Sequence, residues 1–349
     1  MDDRYNEARA TFETTMFEIK RVIVGQDAML ERVLVALLAG GHLLIEGVPG
    51  LAKTLTVKTV ADAMGGTFQR IQFTPDLVPS DLIGTRIYKP DTATFETEPG
   101  PVFCNILLAD EINRAPAKVQ SALLEVMQER QVTIGRQTFP VPDPFLVMAT
   151  QNPIESEGTY PLPEAQVDRF MMKVLVDYPD HLEELTVVQR SLGAAAEVEK
   201  VLPIETLHAY QALTREVYVD SAVADYAVRL VAATRHPESV GLRRHQPHIA
   251  YGASPRGSIN LIHGARAIAL LRGRKYALPH DVFDIAKDVL RHRMVLSYQA
   301  LAESVTSDKI LDALLIAVPQ PQIDLTREAA RPTAPATLAG PTDLRGATA

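Results

Sequence analysis

A single cysteine, Cys104, occurs in the 349 residues, so no internal disulfide can form. It precedes an apolar segment and is expected to be buried and inert rather than nucleophilic. No apolar run approaches the length that spans a bilayer. The opening Met1-Asp2-Asp3 lacks the basic-then-apolar order of a signal peptide, and a cytoplasmic location is the expectation. An excess of basic residues is also missing. Lys and Arg number 35 against 43 Asp and Glu, a net charge of −8, which argues against non-specific nucleic-acid binding. No internal repeat is found. What remains is ordinary globular material, 46% hydrophobic and 22% charged, long enough for a large core and two domains.

One stretch organises the chain: Glu46-Gly47-Val48-Pro49-Gly50-Leu51-Ala52-Lys53-Thr54. It follows the apolar run His42-Leu43-Leu44-Ile45 and opens onto a helical pattern from Leu55. Strand, glycine-rich turn, Lys-Thr and helix together form the context of a phosphate-binding loop. Backbone N–H groups of the turn and of the helix N-terminus converge on an anion there. Lys53 would reach the outer phosphates of a nucleotide, and the Thr54 hydroxyl would complete a Mg²⁺ shell. Ala52 stands where G-x-x-x-x-G-K-[ST] has its second glycine, which the right-handed helical region tolerates.

A second chemical element is Asn105-Ile106-Leu107-Leu108-Ala109-Asp110-Glu111, an apolar run ending in two acids. A buried parallel strand of this kind delivers carboxylates to the ligand-binding edge of an open α/β sheet. Asp110 would support Mg²⁺ and its waters while Glu111 polarises an attacking water. Another buried strand, Phe145-Leu146-Val147-Met148-Ala149-Thr150, brings out Gln151-Asn152-Pro153. Asn152 either orients water or the γ-phosphate beside the acids, or is a turn residue before proline. Arg169, in Asp168-Arg169-Phe170 ahead of a last strand Met171 to Val176, is either a surface ion-pair partner or an arginine finger offered to a neighbouring subunit.

Around these lie helices from Arg4 to Lys20 and from an Asp27 cap to Leu38, the latter ended by Gly40-Gly41. Pro116 at a first helical position starts another. Arg86-Ile87-Tyr88 with Phe95-Glu96-Thr97, and Val132-Thr133-Ile134 with Thr138 to Val141, are expected to be hairpins. From Pro179 the periodicity is helical only. Ser254-Pro255-Arg256 places a cation in a helix's first turn, where the dipole opposes it, so a phosphate or a carboxylate should partner Arg256. His236, His245 and His248 with Arg243 and Arg244 are expected to form a solvated basic loop, with a zinc site as the alternative. The Ala/Pro/Thr-rich end is expected to be disordered.

Taken in order, these elements resemble an AAA+ ATPase, and the local wording is similar to the MoxR family. The residues carrying that similarity are Glu46 to Thr54, Phe73-Thr74-Pro75-Asp76-Leu77, Ala149-Thr150-Gln151-Asn152-Pro153 and Pro161-Leu162-Pro163-Glu164-Ala165. The resemblance spans about Val22 to Val318. It implies an α/β P-loop fold with a five-stranded parallel sheet, flanking helices and an all-α lid, assembled as a hexameric ring. The implied division is an N-terminal helix over 1–21, a nucleotide-binding domain over 22–178 with an insert near 74–99, a lid over 179–323 and a tail over 324–349. Gly47, Val48, Pro49, Gly50, Leu51, Ala52, Lys53, Thr54 and Leu55 would hold ATP, and Val24, Gly25 and Gln26 would line the adenine pocket. Thr54 and Asp110 would take Mg²⁺; Glu111, Asn152, Arg169 and Arg256 would be catalytic, with Arg169 the trans-acting finger. The insert and the second hairpin would act on a client protein carrying a von Willebrand factor A domain. The alternatives are a low-turnover nucleotide switch and a DNA-dependent motor; no winged-helix signal follows the lid and the charge is acidic.

Overall fold

The computed structural model describes residues 3–48, 51, 53–152, 159–193 and 196–322. The expectations that fall on Pro49, Gly50, Ala52, Pro153 and the tail lie outside the described residues. In chain order the strands are β1 (Leu43–Glu46), β2 (Phe68–Gln72), β3 (Gly84–Lys89), β4 (Thr94–Pro99), β5 (Ile106–Asp110), β6 (Gln131–Ile134), β7 (Gln137–Pro140), β8 (Leu146–Gln151), β9 (Met172–Leu175), β10 (Ile249–Tyr251) and β11 (Val295–Leu296). Five of them form a parallel sheet in the order β2-β5-β8-β1-β9. β3 pairs with β4 and β6 with β7 as the two expected hairpins. Strand β1 lies inside the sheet between β8 and β9, so the loop leaving it opens at the crevice where ligands settle in open α/β sheets.

Both sheet faces are buried, and alternation along each strand divides them. Leu43, Ile45, Ile106, Leu108, Leu146 and Met148 join one hydrophobic cluster, whereas Leu44, Leu107, Ala109, Val147 and Ala149 join the other. The first face is covered by α1 (Asp3–Val22), α2 (Asp27–Ala39) and α3 (Lys53–Met64). The second is covered by α5 (Ala117–Glu129), with the short α4 (Pro79–Ile83) beside it. A single turn, α6 (Glu164–Val167), precedes β9.

After β9 come α7 (His181–Ser191), α8 (Ile204–Glu216), α9 (Ser221–Arg235), α10 (Pro255–Leu271), α11 (Pro279–Leu290), α12 (Tyr298–Ala302) and α13 (Ser307–Ala317). The apolar faces of α8, α9, α10, α11 and α13 are continuous with the first cluster, chiefly where α10 packs on α2. Arg32 on α2 adds an ion pair to Asp288 of α11 at 2.7 Å.

Four local expectations need correction. Gln26, rather than Asp27, holds the cap position of α2, with φ 57° and no side-chain cap. Its left-handed backbone turns the amide to the Leu51 carbonyl, and Asp27 instead pairs with Lys20. Pro116 is the cap of α5, whose first helical residue is Ala117. The helical region also contains strand: β10 and β11 pair in antiparallel fashion, segments too short to leave a periodic signature. The basic loop between α9 and β10 is not solvated throughout, because His248 is buried and its Nε2 lies 3.0 Å from Glu303.

Candidate functional site

The loop expected to hold phosphate leaves β1 at Gly47, where backbone from β9's exit presses close. A Cβ there would come within 2.5 Å of the Val176 carbonyl, so only glycine fits. Lys53 begins α3 and folds its ammonium back onto the Gly47 carbonyl at 2.5 Å. Thr54 and Leu55 follow in the first turn, and all three line a cleft of about 450 Å³ with Gly47, Leu51, Arg70, Gln72, Asp110, Glu111, Thr150, Gln151 and Asn152. Burial pushes the Lys53 ammonium below its usual range, against the opposing pull of Asp110, Glu111 and Glu46.

Beyond the loop, Val24 is half-buried and Gly25 has φ 67°, a conformation that glycine adopts without penalty. Gln26 donates from Nε2 to the Leu51 carbonyl at 2.8 Å, tying this turn to the cleft wall. Its Oε1 is buried and has no hydrogen-bond partner among the described residues, an acceptor that an amino group of a base would satisfy. Val48 packs at the margin of the first hydrophobic cluster.

The acids arrive together because the register of the parallel sheet brings them there. Asp110 ends β5 beside Gln72 of β2, with Thr150 of β8 on its other side. Thr150 Oγ1 donates to Asp110 Oδ1 at 2.6 Å and accepts the Glu111 N–H at 2.8 Å. Glu111 itself has φ 55°, a left-handed conformation costing a non-glycine residue about 1–2 kcal/mol. The turn this makes sends its carboxylate to Gln72 Nε2 at 2.7 Å and Arg114 Nε at 3.1 Å. Asp110 Oδ2 is held by Arg70 of β2, through Nη2 at 2.7 Å and Nε at 3.2 Å. Asn152 is buried at the end of β8 and faces the same cleft.

Arg70, Gln72 and Thr150 were missed by sequence reasoning. The available signal was two polar side chains at alternate positions on β2, one facing each acid. The carboxylate of Asp110 and the hydroxyl of Thr54 are hard oxygen donors of the kind Mg²⁺ takes, so the residues present fit that ion.

Arg169 and Arg256 lie elsewhere. They line a second cleft, of about 190 Å³, with His42, Met127, Gln128, Asp168 and Asn260. His42 immediately precedes β1 and Gly47 immediately follows it, so the two clefts open at opposite ends of one strand. At about 3.3 Å per residue the separation from His42 to Gly47 is roughly 16 Å. Among the described residues Arg169 makes no ion pair. Arg256 has the carboxylate partner its place in α10 required: Asp168, at 3.8 Å.

Asp168 is the hub of this second site. Ser254, the cap of α10, donates to both its carboxylate oxygens at 3.1 and 2.9 Å. Arg293, also missed from sequence, reaches it from beyond α11 at 2.8 Å. The Arg293 side chain is 0% exposed and further donates to the carbonyls of Phe170 (2.7 Å) and Met171 (3.1 Å). Burial pushes Arg293 down to about 10, with Asp168 pulling the other way, so it stays charged at neutral pH.

Cys104 is fully buried, and burial pushes its thiol up to about 12, which leaves it unreactive. Among the described residues no group of three or more His, Cys, Asp or Glu could hold a metal ion, and no helix is long and apolar enough to cross a membrane.

Comparison with known proteins gives a consistent set of relatives. Residues 42–172 match the ATPase family associated with various cellular activities (AAA), and residues 242–314 match the AAA lid domain. A protein named Chaperone MoxR1 from Mycobacterium tuberculosis is 55% identical over 314 residues, covering 90% of this chain and 83% of the relative. Protein MoxR from Paracoccus denitrificans is 32% identical, covering 92% of this chain and 99% of its own length. A crystal structure of a candidate ATPase from Cytophaga hutchinsonii superposes with a TM-score of 0.87 at 47% identity, covering 92% of this chain and 98% of that one.

Proposed function

The chain belongs to the MoxR family of AAA+ ATPases, and from that premise we propose that it hydrolyses ATP in active sites shared between neighbouring copies in a ring. The observation that carries this reading is the split of the site. The cleft of Lys53, Asp110 and Glu111 opens at one end of β1, and that of Arg169 and Arg256 at the other. Two cations without a substrate on their own side of the sheet make sense when the next copy supplies one. A head-to-tail contact of this kind generates rings when its rotation closes.

Within the first cleft each residue has work suited to its position. Lys53 leaves the Gly47 carbonyl for the outer phosphates, and the N–H groups of the first turn of α3 bind the same anion. Glu111 accepts a proton from the attacking water, and Asn152 holds that water in line. Asp110 and Thr54 would hold Mg²⁺, which when bound offsets phosphate charge. Gly25 and Gln26 face the base. From the neighbouring copy Arg169 stabilises the charge of the transition state, with Arg256 beside it.

On this reading residues 22–178 form the nucleotide-binding domain and 179–323 the lid. The work done with ATP is chaperone-like maturation of a client, by family resemblance a protein with a von Willebrand factor A domain, in the cytoplasm. The β3–β4 hairpin suits client contact, with Ile87, Tyr88 and Phe95 exposed and the two rings 5.2 Å apart. Steady-state phosphate release at several protein concentrations tests the ring. A cooperative rise with concentration is expected; a flat trace near background would favour a nucleotide-gated scaffold.

A further inference from the structure

Strand β2 forms one edge of the sheet, and its alternation sets Arg70 and Gln72 on one side at successive outward positions. Arg70 grips Asp110 Oδ2 through two nitrogens and donates from Nη2 to Gln72 Oε1 at 2.9 Å. With its oxygen so held, the Gln72 amide presents Nε2 to Glu111. A single guanidinium thereby covers the carboxylate suited to Mg²⁺ and, through Gln72, orients the group bound to the catalytic acid.

The charges explain why the contact exists. Asp110 and Glu111 are adjacent in sequence and share one cleft, where Lys53 turns away to the Gly47 carbonyl. Arg70 supplies the direct ion pair at Asp110, beside the longer-range pull of Lys53. A dication brought to the same carboxylate oxygen would stand against the guanidinium at close range, so the two exclude each other. Arg70 is 47% exposed on an edge strand, and an ion pair in that setting is weak enough to yield.

We propose that Arg70 is a resident counter-ion for Asp110, a positioning residue that occupies the place of Mg²⁺ until metal and nucleotide arrive together and displace it. This rests on the nucleotide reading of the Lys53 cleft. Displacement also removes the anchor of the Gln72 amide, which shares the Glu111 carboxylate with Arg114. The metal requirement is thus set in part by an arginine that never touches the metal.

The test measures Mn²⁺ binding to ADP-loaded protein from the free-ion electron paramagnetic resonance signal, alongside ADP affinity in EDTA. Arg70→Met should tighten Mn²⁺ binding about two- to fivefold, the worth of a half-exposed ion pair. ADP affinity in EDTA should weaken, because Asp110 is left unneutralised beside the phosphates. Arg70→Lys should restore wild-type values in both, and Arg70→Gln serves as a second neutral variant should methionine disturb folding. Unchanged or weaker Mn²⁺ binding in the neutral variants, with ADP bound, overturns the role of Arg70 alone. Wild-type protein that binds no ADP overturns the nucleotide reading with it.

Discussion

Removing the Arg293 guanidinium should loosen the joint between the helical region and the sheet while leaving the Lys53 cleft intact. Arg293→Met keeps much of the volume but strips Asp168 of its buried partner and the carbonyls of Phe170 and Met171 of a donor. Truncating one member of a buried pair costs about 3–5 kcal/mol. The lower end applies, because Asp168 is 19% exposed and keeps the Ser254 hydroxyl and the more distant Arg256. A loss of about 3 kcal/mol should lower the urea midpoint by about 1 M in a chain of this size. The assay is urea unfolding followed by circular dichroism, with ADP binding measured on the folded protein. ADP should still bind, since the second cleft opens at the far end of β1, whereas hydrolysis should fall because Arg293 no longer anchors the backbone on either side of Arg169 or the Asp168 carboxylate that pairs with Arg256. A midpoint within error of wild type would refute the account of Asp168 as a charge hub.

Two further outcomes follow from the same geometry. Glu111→Gln should retain ATP yet lose turnover by at least about 10²-fold, the usual worth of a general base; wild-type phosphate release in that variant would remove Glu111 from the mechanism. His42 is pushed down to about 3, by burial first and then by Arg130, against the Met127 carbonyl. A free imidazole titrates at 6.5, so between pH 6.5 and 3 the unfolded chain holds a proton the folded one lacks. Stability is therefore lost as pH drops through that window, by about 1.4 kcal/mol per pH unit for this group. His42→Asn should flatten the acid limb of urea midpoint against pH below 6.5. Parallel limbs for the two proteins would rule His42 out as the cause.

What the sequence could and could not say follows from the range of each interaction. Lys53 and Thr54 were legible because a phosphate loop is built from consecutive residues, and Asp110 because a buried strand shows itself as an apolar run with a polar end. The partners of those residues were not. Arg70 meets Asp110 only through the register of β2 on β5, and Arg293 meets Asp168 across 125 residues of chain. That Gln26 rather than Asp27 caps α2 was not legible, because composition alone carries no sign of a left-handed φ at a non-glycine position. β10 and β11, of three and two residues, are shorter than any periodicity can register. Arg169 and Arg256 were both singled out, but that they share a cleft apart from Lys53 depends on strand order, which motifs do not encode.

The shared active site is tested most directly by mixing two inactive variants, Lys53→Ala and Arg169→Ala. In a ring assembled at random from equal amounts, a copy with intact Lys53 sits beside one with intact Arg169 at about one interface in four. Mixed protein should therefore recover about a quarter of wild-type hydrolysis. Activity no greater than the sum of the two variants, at every ratio of stably co-assembled protein, would contradict a site built from two copies.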